Sequence, residues 1–231
     1  MIRIENLSKS YNSKEVLHIN SLEIPDGQCF GLVGNNGAGK TTLFRLILDL
    51  IRADTGKVYS CGNNVAQSEE WKPYTGSYLD ENFLIPFLTA EEYFAFVAKA
   101  YSITIAEMHV RLDIYKDIFN GEILGQKKYI RDYSLGNKRK IGIAAALIVQ
   151  PKVLVLDEPF ANLDPSSQLK LRKILQDVQS KKTTTMLISS HDLVHITSVC
   201  KRITLIEKGL IIKDLGQKEE KLKELEQYFA S

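Results

Sequence analysis

Apolar and polar positions alternate at the start of the chain, which is the period of a half-buried β-strand. Ile2 and Ile4 alternate with charged residues, and further apolar positions up to Ile24 lie among turn-forming residues. The run Cys29–Val33 is then almost wholly apolar, as expected of a buried strand. Residues 1–30 are therefore predicted to form an antiparallel β subdomain that leads into a central strand.

The period becomes helical in the middle of the chain. Short strand signals with glycine and asparagine breakers cover residues 53–79, and helical spacing follows from Phe83 to Val149. Thr89 and Thr104 are each followed three residues later by glutamate, which is the capping-box pattern of a helix start. We predict an inserted helical subdomain at about residues 83–150.

Alternation of strands and helices resumes after this insert. Val153–Leu156 is short and wholly apolar, as in a parallel sheet covered on both faces. Asp164 before Pro165 predicts a helix start, and strands are expected near residues 185–189 and 203–206 around a helix. The pattern predicts an α/β fold with a mostly parallel sheet, ending in a helical tail at residues 217–231.

The composition limits the size and class of the protein but does not indicate a function. The 231 residues are 44% hydrophobic and 25% charged, enough for one α/β domain or two small ones. The net charge of +2 gives no reason to expect nucleic acid as a partner. Three cysteines, far apart in sequence, make no metal-ligand spacing and suit a reducing compartment.

The sequence shows neither a membrane-spanning segment nor a signal peptide. No apolar stretch approaches the roughly 20 residues that cross a bilayer, and the start has no signal-peptide layout. We expect a cytoplasmic protein, for which a partner would have to span any membrane at which it works.

The glycine-rich turn after the central strand carries the strongest chemical signal. Glycines let consecutive N–H groups point inward, and the following helix adds its free N–H groups and positive dipole end. Lys40 is placed to reach outer phosphates, and the Thr41 hydroxyl to take a Mg²⁺ position. The alternative is a glycine-rich turn without a ligand. The phosphate-cradle residues are Gly34, Asn35, Asn36, Gly37, Ala38, Gly39, Lys40, Thr41 and Thr42.

Two carboxylates follow the strand Val153–Leu156. Open α/β sheets bind ligands at the carboxyl ends of their strands. Asp157 is placed to hold the Mg²⁺ shell, and Glu158 to polarise an attacking water as general base. The alternative is that both acids merely terminate the strand.

These motifs and three others together resemble the ATP-binding-cassette (ABC) ATPases over nearly the whole chain, which would make residues 1–231 a single ATP-binding domain of the P-loop NTPase fold. The resemblance equates residues 34–42 with the Walker A motif, 153–158 with Walker B, 133–140 with the family signature, 161–164 with the D-loop and 189–192 with the switch-histidine segment.

The resemblance also implies roles for single residues. The γ-phosphate bound by a second cassette would contact Ser134, Gly136 and Asn137. Taken alone, Ser134 is typical of an ordinary helix cap. His191 would bond the γ-phosphate and orient the water of Glu158, although a lone histidine is more often structural. Tyr11 would stack on adenine; otherwise it is a packed or surface tyrosine.

Two departures from the family pattern resemble the cassettes of bacterial exporters of peptides and antibiotics. Leu135 replaces a glycine of the signature, and Asn137 replaces its glutamine. An acid, Glu81 with Asp80 as the rival, stands where the family has a Mg²⁺-contacting glutamine. A carboxylate can still ligate Mg²⁺, but it adds negative charge near the phosphates.

The resemblance implies an ATPase subunit, using ATP and Mg²⁺, that powers a separate integral membrane permease, here an exporter. It would pair with a second cassette, as a homodimer or heterodimer, on the inner face of the cell membrane. The helical insert and the Glu81 loop would form the docking surface, and the apolar run 83–88 is either part of it or core packing. The alternatives are a non-transport ABC ATPase and a nucleotide-dependent regulatory switch; a G-protein is disfavoured because no Asn-Lys-x-Asp segment is found.

Overall fold

The computed structural model describes residues 1–216, which form ten strands and seven α-helices. The strands are β1 (Ile2–Tyr11), β2 (Lys14–Ile24), β3 (Cys29–Val33), β4 (Thr55–Ser60), β5 (Asn63–Asn64), β6 (Thr75–Tyr78), β7 (Val153–Leu156), β8 (Thr185–Ser190), β9 (Arg202–Glu207) and β10 (Leu210–Leu215). The helices are α1 (Lys40–Ile47), α2 (Ala90–Ala100), α3 (Ile105–Asp113), α4 (Lys116–Phe119), α5 (Leu135–Ile148), α6 (Pro165–Ser180) and α7 (Leu193–Val199).

The first sheet is antiparallel and has the strand order β2-β1-β4-β5. Its leading hairpin turns at Asn12 and Ser13, which both have positive φ, as the two-residue turns between right-twisted strands require. The predicted N-terminal antiparallel β subdomain is confirmed.

The second sheet has the order β10-β9-β3-β8-β7-β6 and is parallel except at its β10 edge. β3 therefore lies in the interior of this sheet. β8 pairs directly with it and β7 pairs with β8, although both strands follow β3 by more than 100 residues. The predicted mostly parallel α/β fold is confirmed. Strand β10 was not predicted; it pairs with β9 through a turn at Lys208 and Gly209, both at positive φ.

Both faces of this sheet are buried, which explains why its strands are wholly apolar. In β7, Val153 and Val155 face the core shared with β1, β2 and α1. Leu154 and Leu156 face the core shared with α5, α6 and α7. The side-chain period of two thus supplies two cores from one strand.

Helices α2 to α5 lie in sequence between β6 and β7, in the segment predicted to be an inserted helical subdomain. Both predicted capping boxes are present: the Thr89 and Thr104 hydroxyls accept the amides of Glu92 and Glu107. As a separate subdomain the insert stays a prediction. The predicted helical tail, residues 217–231, lies outside the described residues.

The apolar run 83–88 divides between core and surface. Leu84 is buried, whereas Phe83 and Phe87 are 52% and 64% exposed. Core packing therefore holds for Leu84, whereas docking through the exposed part of the run stays a prediction. Within residues 1–216, no helix is long and apolar enough to span a bilayer.

Two of the cysteines meet in the fold despite their separation in sequence. The Sγ atoms of Cys29 in β3 and Cys200 after α7 lie 2.7 Å apart in the core, and Cys61 is exposed. Burial raises the pKa of the Cys200 thiol, so this side chain packs as a neutral, apolar group.

Candidate active site

The turn between β3 and α1 has a shape that only glycine allows at several positions. A Cβ on Gly34 would lie 2.3 Å from the Ile206 carbonyl oxygen, and Gly37 and Gly39 have φ of 80° and 108°. Gly39 provides no side-chain cap, so the first amides of α1 stay open to a ligand. The loop therefore presents N–H groups and the positive end of a helix to one point, which favours an anion.

Lys40 lies inside this loop. It is buried, and its Nζ donates to the Gly34 carbonyl at 2.6 Å while lying 3.2 Å from Glu158 Oε1. The backbone carbonyls therefore hold the ammonium group in a fixed place between the loop and the end of β7. This position suits the neutralisation of an outer phosphate bound in the loop.

Thr41 and Asp157 meet directly. The Thr41 hydroxyl donates to Asp157 Oδ2 at 2.5 Å, and the Ser189 hydroxyl donates to Oδ1. Burial raises the pKa of Asp157, and these two hydrogen bonds oppose that rise. Ser189, near the end of β8, was not predicted as a site residue, although it is the first residue of the switch-histidine segment.

The Thr41–Asp157 pair suits Mg²⁺. Mg²⁺ prefers oxygen ligands and usually takes only one or two from protein, the rest being water and phosphate. Within the described part of the chain, no group of three or more His, Cys, Asp and Glu side chains could hold a metal ion by itself.

The Glu158 side chain is held between two partners. Its Oε2 lies 2.9 Å from His191 Nδ1, and Oε1 faces Lys40. Its backbone is left-handed, with φ of 48°, and its amide donates to the Ser189 hydroxyl at 2.9 Å. A glutamate in this conformation is strained by roughly 1–3 kcal/mol. The structure thus brings Lys40, Glu158 and His191 together.

A cleft of about 270 Å³ lies above the loop. It is lined by Tyr11, Val16, residues 36–42 and Glu158. Tyr11 is 45% exposed at this cleft, with the Lys9 ammonium 5.5 Å from its ring centroid. The tyrosine ring therefore lies within reach of a ligand whose phosphates occupy the loop.

Tyr11→Ala is expected to raise the Kd for ATP roughly 5- to 150-fold, because stacking of a base on an aromatic ring contributes about 1–3 kcal/mol. Tyr11→Phe keeps the ring and should bind as the parent does. Titration with a fluorescent ATP analogue measures both. Equal affinity in the alanine variant would make Tyr11 an ordinary surface residue.

The signature residues lie away from this cleft, at the start of α5. The Ser134 hydroxyl accepts the Asn137 amide at 3.2 Å, and the Asn137 side chain donates to Glu122. A Cβ on Gly136 would lie 2.7 Å from the Asn162 carbonyl oxygen, so the helix start packs closely on the D-loop segment. In a single chain these three residues therefore take no part in the cleft.

Neither acid proposed at the end of β6 contacts the Thr41–Asp157 pair. Glu81 Oε2 lies 3.9 Å from Arg139 Nη2, and Asp80 Oδ2 lies 3.7 Å from Arg45 Nη2. Arg139 was not predicted as part of the site. The sequence signal available was a basic run at residues 138–140, which usually indicates a solvated surface.

A phosphate loop between the central strand and a helix, set in a mostly parallel sheet, defines the class of protein as a P-loop nucleoside triphosphatase. The sequence model of the ABC transporter family matches residues 17–161. The chain belongs to this family, as its ATP-binding, ATP-hydrolysing subunit.

Similar proteins differ in what their names say they transport. A lantibiotic transport ATP-binding protein of Streptococcus pyogenes is 32% identical over 92% of this chain and 89% of its own length. A probable sulfate/thiosulfate import ATP-binding protein of Chlorella vulgaris is 32% identical over 95% of this chain and 92% of its own. A dimeric ATP-binding cassette bound to ADP and Pi has the same fold, with a TM-score of 0.83 and 21% identity over 94% of this chain and 99% of its own.

Proposed function

We propose that this chain powers a separate membrane-spanning exporter by binding and hydrolysing ATP as one half of a two-cassette motor. The observation that carries the proposal is the convergence of Lys40, Glu158 and His191 at the carboxyl ends of β3, β7 and β8. This cluster places a cation, a carboxylate and a histidine beside an open anion-binding loop. Such a set suits hydrolysis better than binding alone.

Each member of the cluster has a distinct task in this proposal. Lys40 neutralises the outer phosphates. Glu158 accepts a proton from the attacking water, and His191 holds the Glu158 carboxylate in its orientation through the 2.9 Å contact. Thr41 and Asp157 would hold Mg²⁺, which supplies charge neutralisation on the phosphates when bound.

The second half of the site comes from another cassette. The start of α5 lies outside the chain's own cleft and carries Ser134, Gly136 and Asn137. The positive end of a helix suits a phosphate presented from outside. We therefore propose a dimer, of two copies or of two related chains, that encloses two ATP molecules.

The membrane partner and direction are also parts of the proposal. The similar proteins include both a lantibiotic transport protein and an importer, so export rests on the signature variant at Leu135 and Asn137 and on the acid at Glu81. We assign the exposed Phe83 and Phe87 to a docking surface for a permease at the inner face of the membrane. The whole chain would act as one cassette, with residues 83–150 as its helical subdomain.

Isolation of the tagged chain from detergent-solubilised membranes should recover a protein with several membrane-spanning helices. Phe83→Ser/Phe87→Ser is expected to lose this partner, while Leu169→Ser, which alters a residue 60% exposed on α6, should retain it. Recovery without such a protein would contradict the transport role.

Loss of the gene should raise cellular accumulation of the transported compound, if the transporter is an exporter. Reduced uptake of the compound would instead indicate import.

A further inference from the structure

A buried cation on α5 has no task in the function proposed above. Arg139 is only 7% exposed, although Leu135, one turn earlier on the same helix, is 50% exposed. Burial of a guanidinium group is costly unless charged or polar partners compensate it. Its partners therefore indicate what the charge does.

The Arg139 guanidinium contacts two segments that flank the nucleotide site. Nη1 donates to the Ala161 carbonyl, three residues beyond Glu158, and Nη2 lies 3.9 Å from Glu81 Oε2. The Tyr78 ring centroid lies 5.9 Å from the guanidinium carbon. Burial raises the pKa of Tyr78 to about 12, so its phenol is neutral and Glu81 supplies the negative charge.

Close packing fixes the distance between α5 and the loop that carries Glu81. A Cβ on Gly142 would lie 2.2 Å from the Tyr78 ring, and a Cβ on Gly76 would lie 2.3 Å from the Ala146 carbonyl oxygen. Helix α5 and strand β6 are thus as close as glycine permits. Since Glu81 follows Tyr78 by three residues, this close packing keeps the Glu81 segment beside α5.

We propose that Arg139 is a positioning residue that neutralises and retains Glu81 beside α5, so that their ion pair sets how strongly nucleotide binding depends on Mg²⁺. The proposal rests on the proposed function, in which phosphates bind beside the Thr41–Asp157 pair. The Tyr78 carbonyl, three residues before Glu81, accepts the Asp157 amide at 2.9 Å, which brings the Glu81 segment to that side of the site. A carboxylate freed from Arg139 repels those phosphates, and a divalent cation offsets that repulsion. While the pair holds, the penalty for binding ATP without metal stays small.

The test compares the Kd for ATP in EDTA with the Kd in Mg²⁺, measured by titration without turnover. Arg139→Gln should raise the ratio of these constants at least about fivefold, because Glu81 loses its counter-ion. Arg139→Lys keeps the charge and should stay near the parent ratio. Glu81→Gln should lower the ratio, and Arg139→Gln/Glu81→Gln should match Glu81→Gln alone.

The non-additive double variant separates this role from a structural one. The proposal would be overturned if Arg139→Gln left the ratio of the two Kd values unchanged. It would also be overturned if Arg139→Gln raised this ratio as much in the Glu81→Gln variant as in the parent. A parent protein that binds no ATP under either condition would instead overturn the proposed function.

A second measurement covers the case in which Arg139→Gln does not fold. Glu81→Gln alone leaves a buried guanidinium without its carboxylate and should lower the thermal midpoint by about 2–4 °C or more. Adding Arg139→Met should recover part of that loss, since the uncompensated charge is then gone. An unchanged midpoint in Glu81→Gln would show that the ion pair holds nothing, and would overturn the proposal.

Discussion

Lys40→Ala is expected to abolish ATP binding or to weaken it at least about 30-fold. Lys40 is buried inside the loop, and the Gly34 carbonyl orients its ammonium group at 2.6 Å. Removing one partner of a buried charge contact costs roughly 2–5 kcal/mol or more. The loss includes a second effect, because the Glu158 carboxylate at 3.2 Å would then face the phosphates without a cation between them.

Equilibrium titration with ATP in Mg²⁺ measures this effect directly, and far-ultraviolet circular dichroism checks that the variant is folded. Lys116→Ala removes an equal charge from an exposed position on α4 and should bind ATP as the parent does. Unchanged affinity in Lys40→Ala would remove Lys40 from the nucleotide site. A loss shared by Lys116→Ala would point to the net charge of the protein rather than to the loop.

Local sequence signals were enough to predict most elements of the fold. Four consecutive apolar residues predicted β7, and Asp164 before Pro165 predicted the start of α6, where the Asp164 side chain accepts the Ser167 amide. Strand β10 was missed because none of its side chains is buried and its sequence does not alternate regularly between apolar and polar residues. Its turn also needs a lysine at positive φ, Lys208, which is uncommon for a residue with a side chain.

The assembly of the site was less accessible to sequence reasoning. Lys40, Glu158 and His191 each carried a signal, but their contact depends on the strand order β3-β8-β7, which no local pattern encodes. Arg139 was missed for a related reason. A basic run normally indicates a solvated helix face, whereas α5 is buried on almost every side beyond its first turn, so that Arg139 and Lys140 point inward.

Glu158→Gln is expected to reduce ATP hydrolysis by roughly 10²- to 10⁴-fold while retaining ATP binding. The amide keeps the shape of the side chain and can still accept a hydrogen bond from His191, but it cannot take a proton from water. Glu158 has a left-handed backbone, and its backbone N–H donates a hydrogen bond to the Ser189 hydroxyl. Neither feature depends on the carboxylate, so the variant should fold normally. Release of inorganic phosphate measures the loss, and Asp113→Asn, which neutralises an exposed acid, should hydrolyse ATP as the parent does.

The same variant tests the two-cassette arrangement, because ATP that cannot be hydrolysed should hold the halves together. Light scattering should show a dimer of Glu158→Gln with ATP and a monomer with ADP. Adding Ser134→Glu places a negative charge at the α5 start, where a phosphate of the opposite cassette would approach, and should give monomers that still bind ATP in their own cleft. Hydrolysis at the parent rate in Glu158→Gln would exclude this residue as the base. The two-cassette arrangement would be contradicted if ATP-bound Glu158→Gln stayed monomeric and no companion chain from the membrane complex paired with it. Ser134 would then be a plain helix cap, and the site would be complete within one chain.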